Sequence, residues 1–143
     1  MKYIFLDIDG VLNAPGDKNL IEGVIDINKY SLLQQIINET NSKVVIISSR
    51  RLYQEDRNIL LKALDDIYDR ISFISFKLLS KYRKDEIKLF LENNEFESYV
   101  ILDDIDCSYT LDSEINKHFI YIDGVVGLTK ENAEVAIKIL NKM

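Results

Sequence analysis

Residues 2–10, Lys-Tyr-Ile-Phe-Leu-Asp-Ile-Asp-Gly, constrain this chain more than any other stretch. Lys2 to Leu6 is rich in aromatic and apolar side chains and reads as a buried strand. Two aspartates follow, Asp7 and Asp9, with one residue between them. A strand alternates its side chains, so both would share a face if the strand ran on. Gly10 ends it, because glycine permits the turn that lifts the chain off a sheet. Two carboxylates therefore stand at the carboxyl end of a core strand, the end at which open α/β sheets bind their ligands.

The rest of the chain alternates apolar runs with helical patterns. Residues 11–26 hold the only proline and several turn formers, and read as a loop or small flap over the strand ends. A helix over about 28–40, capped by Asp26 or Asn28, places Leu32, Leu33, Ile36 and Ile37 on one face. Strands follow at 44–47, 71–75, 99–102 and 119–122, the second of these alternating and nearer an edge. Helices are expected over about 54–66, over 83–94, and from a Thr129 cap to about 142. The implied fold class is α/β: a single domain over residues 1–143, three layers, and a mostly parallel five-stranded sheet. A domain of this length buries about 70% of its unfolded surface and needs no disulfide.

Three of the five strands end in polar clusters: Asp7/Asp9, Ser48/Ser49/Arg50, and Asp103/Asp104/Asp106. In a parallel sheet those ends converge on one edge. Aspartates gathered there repel one another unless a cation sits among them. Mg²⁺, a hard ion with oxygen ligands, is the natural answer and points to phosphate chemistry. Serine hydroxyls and basic side chains beside it would hold phosphate oxygens. One histidine and one cysteine exclude a Cys/His zinc site, and the lone Cys107 fits a reducing, cytoplasmic setting. No apolar run approaches the roughly 20 residues of a membrane span. The net charge of −6 argues against a general nucleic-acid coat protein but leaves room for a local basic patch.

The stretch Asp7-Ile-Asp9-Gly10-Val11-Leu12 resembles the DxDGxL/V signature of haloacid-dehalogenase-like (HAD) phosphohydrolases. The family's other motifs are matched in order by Ser48 after an apolar strand, by Lys84 in Lys84-Asp-Glu-Ile87, and by Asp103-Asp104 after Tyr99–Leu102. A narrower resemblance joins Val45-Ile-Ile-Ser48-Ser-Arg50, Lys84–Ile87 and Gly127-Leu-Thr129 to the HAD domain of bacterial and phage RNA-repair proteins. The phosphatase half of phage polynucleotide kinase-phosphatase is similar, with Arg50 or Arg51 in the place of that subgroup's arginine.

The resemblance implies a Rossmann-like domain and an aspartyl-phosphate mechanism. Asp7 would be the nucleophile, and Asp9 the acid and then the base. Ser48 and Lys84 would hold and neutralise the phosphoryl group, with Ser49 and Arg50 binding substrate. Mg²⁺ would be held by Asp7, the Asp9 carbonyl, Asp103 and Asp104, with Asp106 as an alternative to Asp104. Neither the flap at 11–26 nor the segment before Lys84 has room for a cap domain, so an open site is expected. That suits a large substrate such as a polynucleotide end or a phosphoprotein, and Arg50, Arg51, Arg57, Lys77, Lys81, Arg83 and Lys88 would form a basic rim for a flanking strand. Tyr82 and Tyr109 are candidates for base stacking, with packing as the competing role. His118 reads as structural. A phosphatase of a small phosphometabolite and a non-enzymatic phosphate- or partner-binding domain are the alternatives.

Overall fold

A computed structural model describes residues 1–73 and 83–142 of the chain. Five parallel strands, β1 (Lys2–Leu6), β4 (Lys43–Ile46), β5 (Ile71–Phe73), β6 (Ser98–Asp103) and β7 (Phe119–Tyr121), form one sheet in the order β5-β4-β1-β6-β7. The strands whose ends carry the acids and serines, β4, β1 and β6, are therefore the three central ones. The third strand of the sequence pattern lies at an edge, as its alternation implied; positions 74 and 75 fall outside the described residues. The last strand stops one residue short of the expected 122.

Alternation along each strand builds the layers. Ile4, Leu6, Val44, Ile46, Val100 and Leu102 face one side, where they pack with α1 (Ile27–Thr40), α2 (Gln54–Ala63) and α5 (Lys130–Leu140). Tyr3, Phe5, Val45, Ile47, Tyr99 and Ile101 face the other, against Ile87 of α3 (Arg83–Glu92) and Ile115 of α4 (Ser113–Asn116). The second side is strongly aromatic, with Phe90 meeting Tyr3 and Phe5 edge-on at 5.1 and 5.5 Å. Ile4, Phe5 and Leu6 are wholly buried, and each contributes about 1.5–3 kcal/mol by leaving water. His118 is structural as expected, stacked on Tyr99 at 3.9 Å.

Helix α2 ends at Ala63 rather than near 66, giving way to a 3₁₀ stretch over Asp65–Arg70. Short helix α4 has no counterpart in the sequence pattern, because four residues cannot display a helical period. Thr129 caps α5 through a reciprocal box with Asn132, worth about 1 kcal/mol.

The flap is a tied-down hairpin. β2 (Leu20–Ile21) and β3 (Ile25–Asp26) pair antiparallel across the three-residue connection Glu22-Gly23-Val24, with positive φ at Glu22 and Gly23 and the Val24 N–H closing the turn on the Ile21 carbonyl at 3.0 Å. Such a turn matches the twist of the strands it joins. Asp26 ends the flap and begins α1, accepting from the N–H groups of Asn28 (3.1 Å) and Lys29 (3.0 Å). Lys29 in turn reaches Asp17 of the flap at 3.0 Å. Gly127 (φ +81°) lets the β7–α5 turn pass closely, since a Cβ there would stand 2.3 Å from Lys29 Cε. Neither residues 7–26 nor residues 74–82 are numerous enough to fold as a separate domain.

Of the two cap candidates in the sequence, Asp26 is the one used, and Asn28 is exposed. Replacement Asp26→Ala is expected to lower unfolding free energy by about 1–2 kcal/mol in urea titrations, whereas Asn28→Ala changes it by less than about 0.5 kcal/mol.

Candidate active site

The end of β1 is held on both sides. The Asp7 N–H donates to the Leu102 carbonyl at 3.0 Å, and the Ile47 N–H donates to the Leu6 carbonyl at 2.9 Å. The chain then turns sharply, with Val11 and Leu12 both donating to the Ile8 carbonyl at 3.1 and 2.9 Å. The strand therefore does not run through Asp9, and the two aspartates enter different surroundings. Asp7 is buried and Asp9 is exposed.

Asp7, Asp103 and Asp104 offer carboxylate oxygens that lie within 4.8 Å of one another. Arg83, at the start of α3, sets one guanidinium nitrogen 2.9 Å from Asp103 Oδ2 and 3.3 Å from Asp7 Oδ1. Burial pushes the Asp7 carboxyl up to about 8; Arg83 opposes this, and Asp103 and Asp104 add to it. Burial also works against the charge of Arg83, but Asp7 and Asp103 more than offset it and hold the guanidinium charged.

Asp103 is wholly buried and accepts from Arg83, from the Ile105 N–H (3.1 Å) and from the Tyr109 hydroxyl (2.9 Å). Tyr109 is itself wholly buried, so of its two expected roles packing prevails over base stacking. The loop that delivers it carries two successive non-glycine residues with positive φ, Cys107 and Ser108.

Asp104 shows where a cation fits. Its Oδ1 is buried and has no hydrogen-bond partner among the described residues. Its Oδ2 lies in a cradle that side chains would fill: a Cβ on Gly10 would stand 2.2 Å from it, and one on Gly124 2.8 Å. Buried carboxylate oxygens are normally satisfied, so this one calls for an unseen partner. Three convergent carboxylates with one orphaned oxygen fit a hard divalent cation. Asp106 does not join them; it is exposed, and its carboxylate is engaged by the N–H and hydroxyl of Thr110.

Asp9 faces the other basic group. Arg50 grips it as a fork, Nε to Oδ2 at 2.8 Å and Nη2 to Oδ1 at 2.9 Å. Asn13 adds a bond of 3.1 Å, accepts from the Gly10 N–H and donates to the Val24 carbonyl of the flap. The Arg50 bond chiefly, and Asn13 with it, hold the Asp9 carboxyl below its ordinary value against the effect of burial. Ser48, buried at the end of β4, accepts from the Arg50 N–H at 3.2 Å and keeps its own O–H to donate. Ser49 is exposed beside it.

The structure thus gathers Asp7, Asp103 and Asp104 into one cluster, with Asp9, Ser48 and Arg50 linked at its mouth. Among the described residues Lys84 makes no ion pair with these acids, and Arg83 stands where it was expected. The reason is helical phase: Arg83 shares a face with Glu86, Ile87 and Phe90, and the first two are buried. That spacing, read from Ile87 backwards, was the available signal for Arg83. Asn13, Tyr109 and the glycine cradle had none.

The basic rim is also largely spent elsewhere. Arg51 is buried against Glu86, Arg57 donates to the Arg51 carbonyl, and Lys88 pairs with Asp112. Lys77, Lys81 and Tyr82 lie outside the described residues.

A family model described as a HAD domain in Swiss Army Knife RNA repair proteins matches residues 3–133. No curated protein and no solved structure matches the chain. Residues 3–133 span the whole site from Asp7 to Gly124, and a five-stranded parallel sheet with acids at its central strand ends is the framework such a domain requires. The chain accordingly belongs to the family of HAD domains found in Swiss Army Knife RNA repair proteins, within the HAD-type phosphohydrolases.

Proposed function

We propose that this chain is a Mg²⁺-dependent phosphomonoesterase acting through an aspartyl-phosphate on Asp7, with a phosphate at a nucleic-acid end or on a nucleotide as substrate, in a cytoplasmic setting. The observation that carries the reading is the Asp7–Asp103–Asp104 cluster with its orphaned Asp104 oxygen, in which Arg83 contacts the buried Asp7 and Asp103, with Arg50 on Asp9 and Ser48 bonded to the Arg50 N–H. A domain that only bound phosphate would have no use for so concentrated a negative charge.

In this reading Asp7, Asp103, Asp104 and the Asp9 carbonyl would hold Mg²⁺, which would supply positive charge against the phosphoryl oxygens and the acids around it. Asp7 Oδ attacks phosphorus, and the bond from phosphorus to the ester oxygen breaks. Asp9 gives its proton to that leaving oxygen, then takes one from the water that cleaves the phosphorus–Asp7 bond. Ser48 donates to a phosphoryl oxygen. Arg83 supplies the charge next to the nucleophile, with Lys84 beside it on α3. Arg50 exchanges Asp9 for the phosphate, which frees Asp9 to carry a proton. The Asp9 side chain is 56% exposed and Ser49 lies in the open, which suits an ester whose remaining bulk stays outside.

Hydrolysis of an aryl phosphate is expected with Mg²⁺ and is expected to fall to background with EDTA or in Asp7→Asn. The same variant reports on stability. Asp7 holds its proton more tightly when folded than when unfolded, so the contribution is present below the ordinary value of 3.8 and drains away as pH rises towards 8. Asparagine cannot ionise. Metal-free Asp7→Asn is therefore expected to exceed wild type by on the order of 1–3 kcal/mol at pH 8, with the gap narrowing at pH 5.5, in urea titrations. Unchanged turnover in Asp7→Asn removes it as nucleophile.

A panel of 3′- and 5′-phosphorylated oligonucleotides, mononucleotides and sugar phosphates reads the substrate. Higher kcat/KM for an oligonucleotide end or nucleotide is expected. Preference for a sugar phosphate over every member of that group assigns the chain to small-metabolite chemistry instead.

A further inference from the structure

Arg51 and Glu86 form a buried ion pair that the reaction outlined above does not use. Arg51 is 5% exposed and Glu86 9%, and their guanidinium and carboxylate are in direct contact. Burial of two charges costs several kcal/mol per ion before their attraction is counted, and apolar side chains of similar volume in such places are often as stable or more so. The pair is thus a poor device for stability alone, and its other bonds show what it holds.

Arg51 Nη1 donates to the carbonyl of Ile47 at 2.6 Å and to that of Ser48 at 3.0 Å. The Arg51 N–H closes on the same Ser48 carbonyl at 3.1 Å, and Arg57 Nη1 donates to the Arg51 carbonyl at 3.0 Å. One side chain therefore fastens the last residue of the apolar run, the serine after it, and the turn that carries Arg50. Its far end grips Glu86, which lies one helical turn beyond Arg83 on α3. Two elements that approach the site from different parts of the sequence, the β4–α2 turn and the start of α3, are joined at this point.

We propose that Arg51 and Glu86 are positioning residues that fix the phosphate-facing groups Ser48 and Arg50 relative to Arg83. The proposal rests on the phosphatase reading for its kinetic consequence, but its structural content stands apart from it. A planar guanidinium with donors on both edges is suited to the task, since it meets two carbonyls and one carboxylate at once, which a lysine ammonium does with far less directional constraint. Catalysis of phosphoryl transfer depends on placement, and an error of about 1 Å in a group that holds substrate costs up to about a hundredfold in rate.

The test replaces the pair by apolar residues of similar size, Arg51→Met with Glu86→Leu, and compares it with the conservative Glu86→Gln. The double variant is expected to melt at or above the wild-type temperature while kcat for an aryl phosphate falls about 10–100-fold. Amide hydrogen exchange over residues 47–52 is expected to quicken at least about tenfold, with β1 and α5 unchanged. Glu86→Gln, which keeps an acceptor for Arg51, is expected to retain wild-type exchange in that segment and turnover within a few-fold. Wild-type exchange over 47–52 in the folded double variant overturns the proposal. So does loss of turnover in Glu86→Gln as complete as in the double variant with exchange unchanged, because the Glu86 charge would then act on the chemistry itself. Should the double variant not fold, faster exchange over 47–52 in Glu86→Ala supports the proposal and unchanged exchange overturns it. A wild-type protein that hydrolyses no phosphate ester defeats the phosphatase reading, and the exchange comparison still decides whether the pair holds the turn.

Discussion

The Arg83 guanidinium between Asp7 and Asp103 is the contact on which the site depends. Register places the two acids side by side: Leu6 pairs with Leu102, so Asp7, just past the end of β1, stands level with Asp103, the last residue of β6. Both are buried, and two ionised carboxylates in one dry position repel strongly. A cation beside them relieves that repulsion. Helix α3 provides it by directing Arg83 along the face that also buries Ile87. The packing of an apolar helix face and the compensation of site charge are one arrangement, set by a single helical phase.

Asp7 and Asp9 are near neighbours in sequence and opposites in environment. The turn at Ile8–Leu12 separates them, sending one inwards among acids and the other out to a bidentate arginine. Burial and neighbouring carboxylates raise the first; hydrogen bonds from Arg50 and Asn13 lower the second. Divergent environments of this sort are how two chemically identical groups acquire different tasks.

Much of this was visible in the residue order. Apolar runs separated by helical patterns led to a parallel sheet, and the polar residues after three of those runs led to one edge of it, because topology carries every strand end to the same side. What the sequence concealed was side-chain choice among neighbours. Lys84 and Arg83 differ by about 100° around a helix, which a motif spaced by residue number does not resolve. Arg51 beside Arg50 looked like a second surface cation, but the short 3₁₀ turn after Ser48 sends one outward and the other into the interior. Tyr109 and Gly124 gain their roles from a loop closure and a close approach, neither of which has a period to read. The flap was legible as turns and illegible as a hairpin, since strands of two residues leave no alternation.

Charge balance links these observations to the chemistry. Among the described residues, Asp7, Asp9, Asp103 and Asp104 meet two site cations, Arg50 and Arg83. Fully ionised, the four acids exceed the two arginines by two charges, the charge of one divalent ion. Burial first, and Asp103 and Asp104 after it, displace the Asp7 carboxyl upward, while Asp9, paired one-to-one with Arg50, is displaced downward. Each displacement is the reverse of what the proposed reaction calls for, in which Asp7 attacks ionised and Asp9 starts protonated. A divalent cation, were it held by Asp7, Asp103 and Asp104, would favour loss of the Asp7 proton. A phosphate dianion that draws Arg50 away removes what kept Asp9 ionised. In the proposed reaction the two carboxylates start displaced in opposite directions, and the two ligands that reaction calls for, a divalent cation and a phosphate dianion, carry the charges that oppose those displacements.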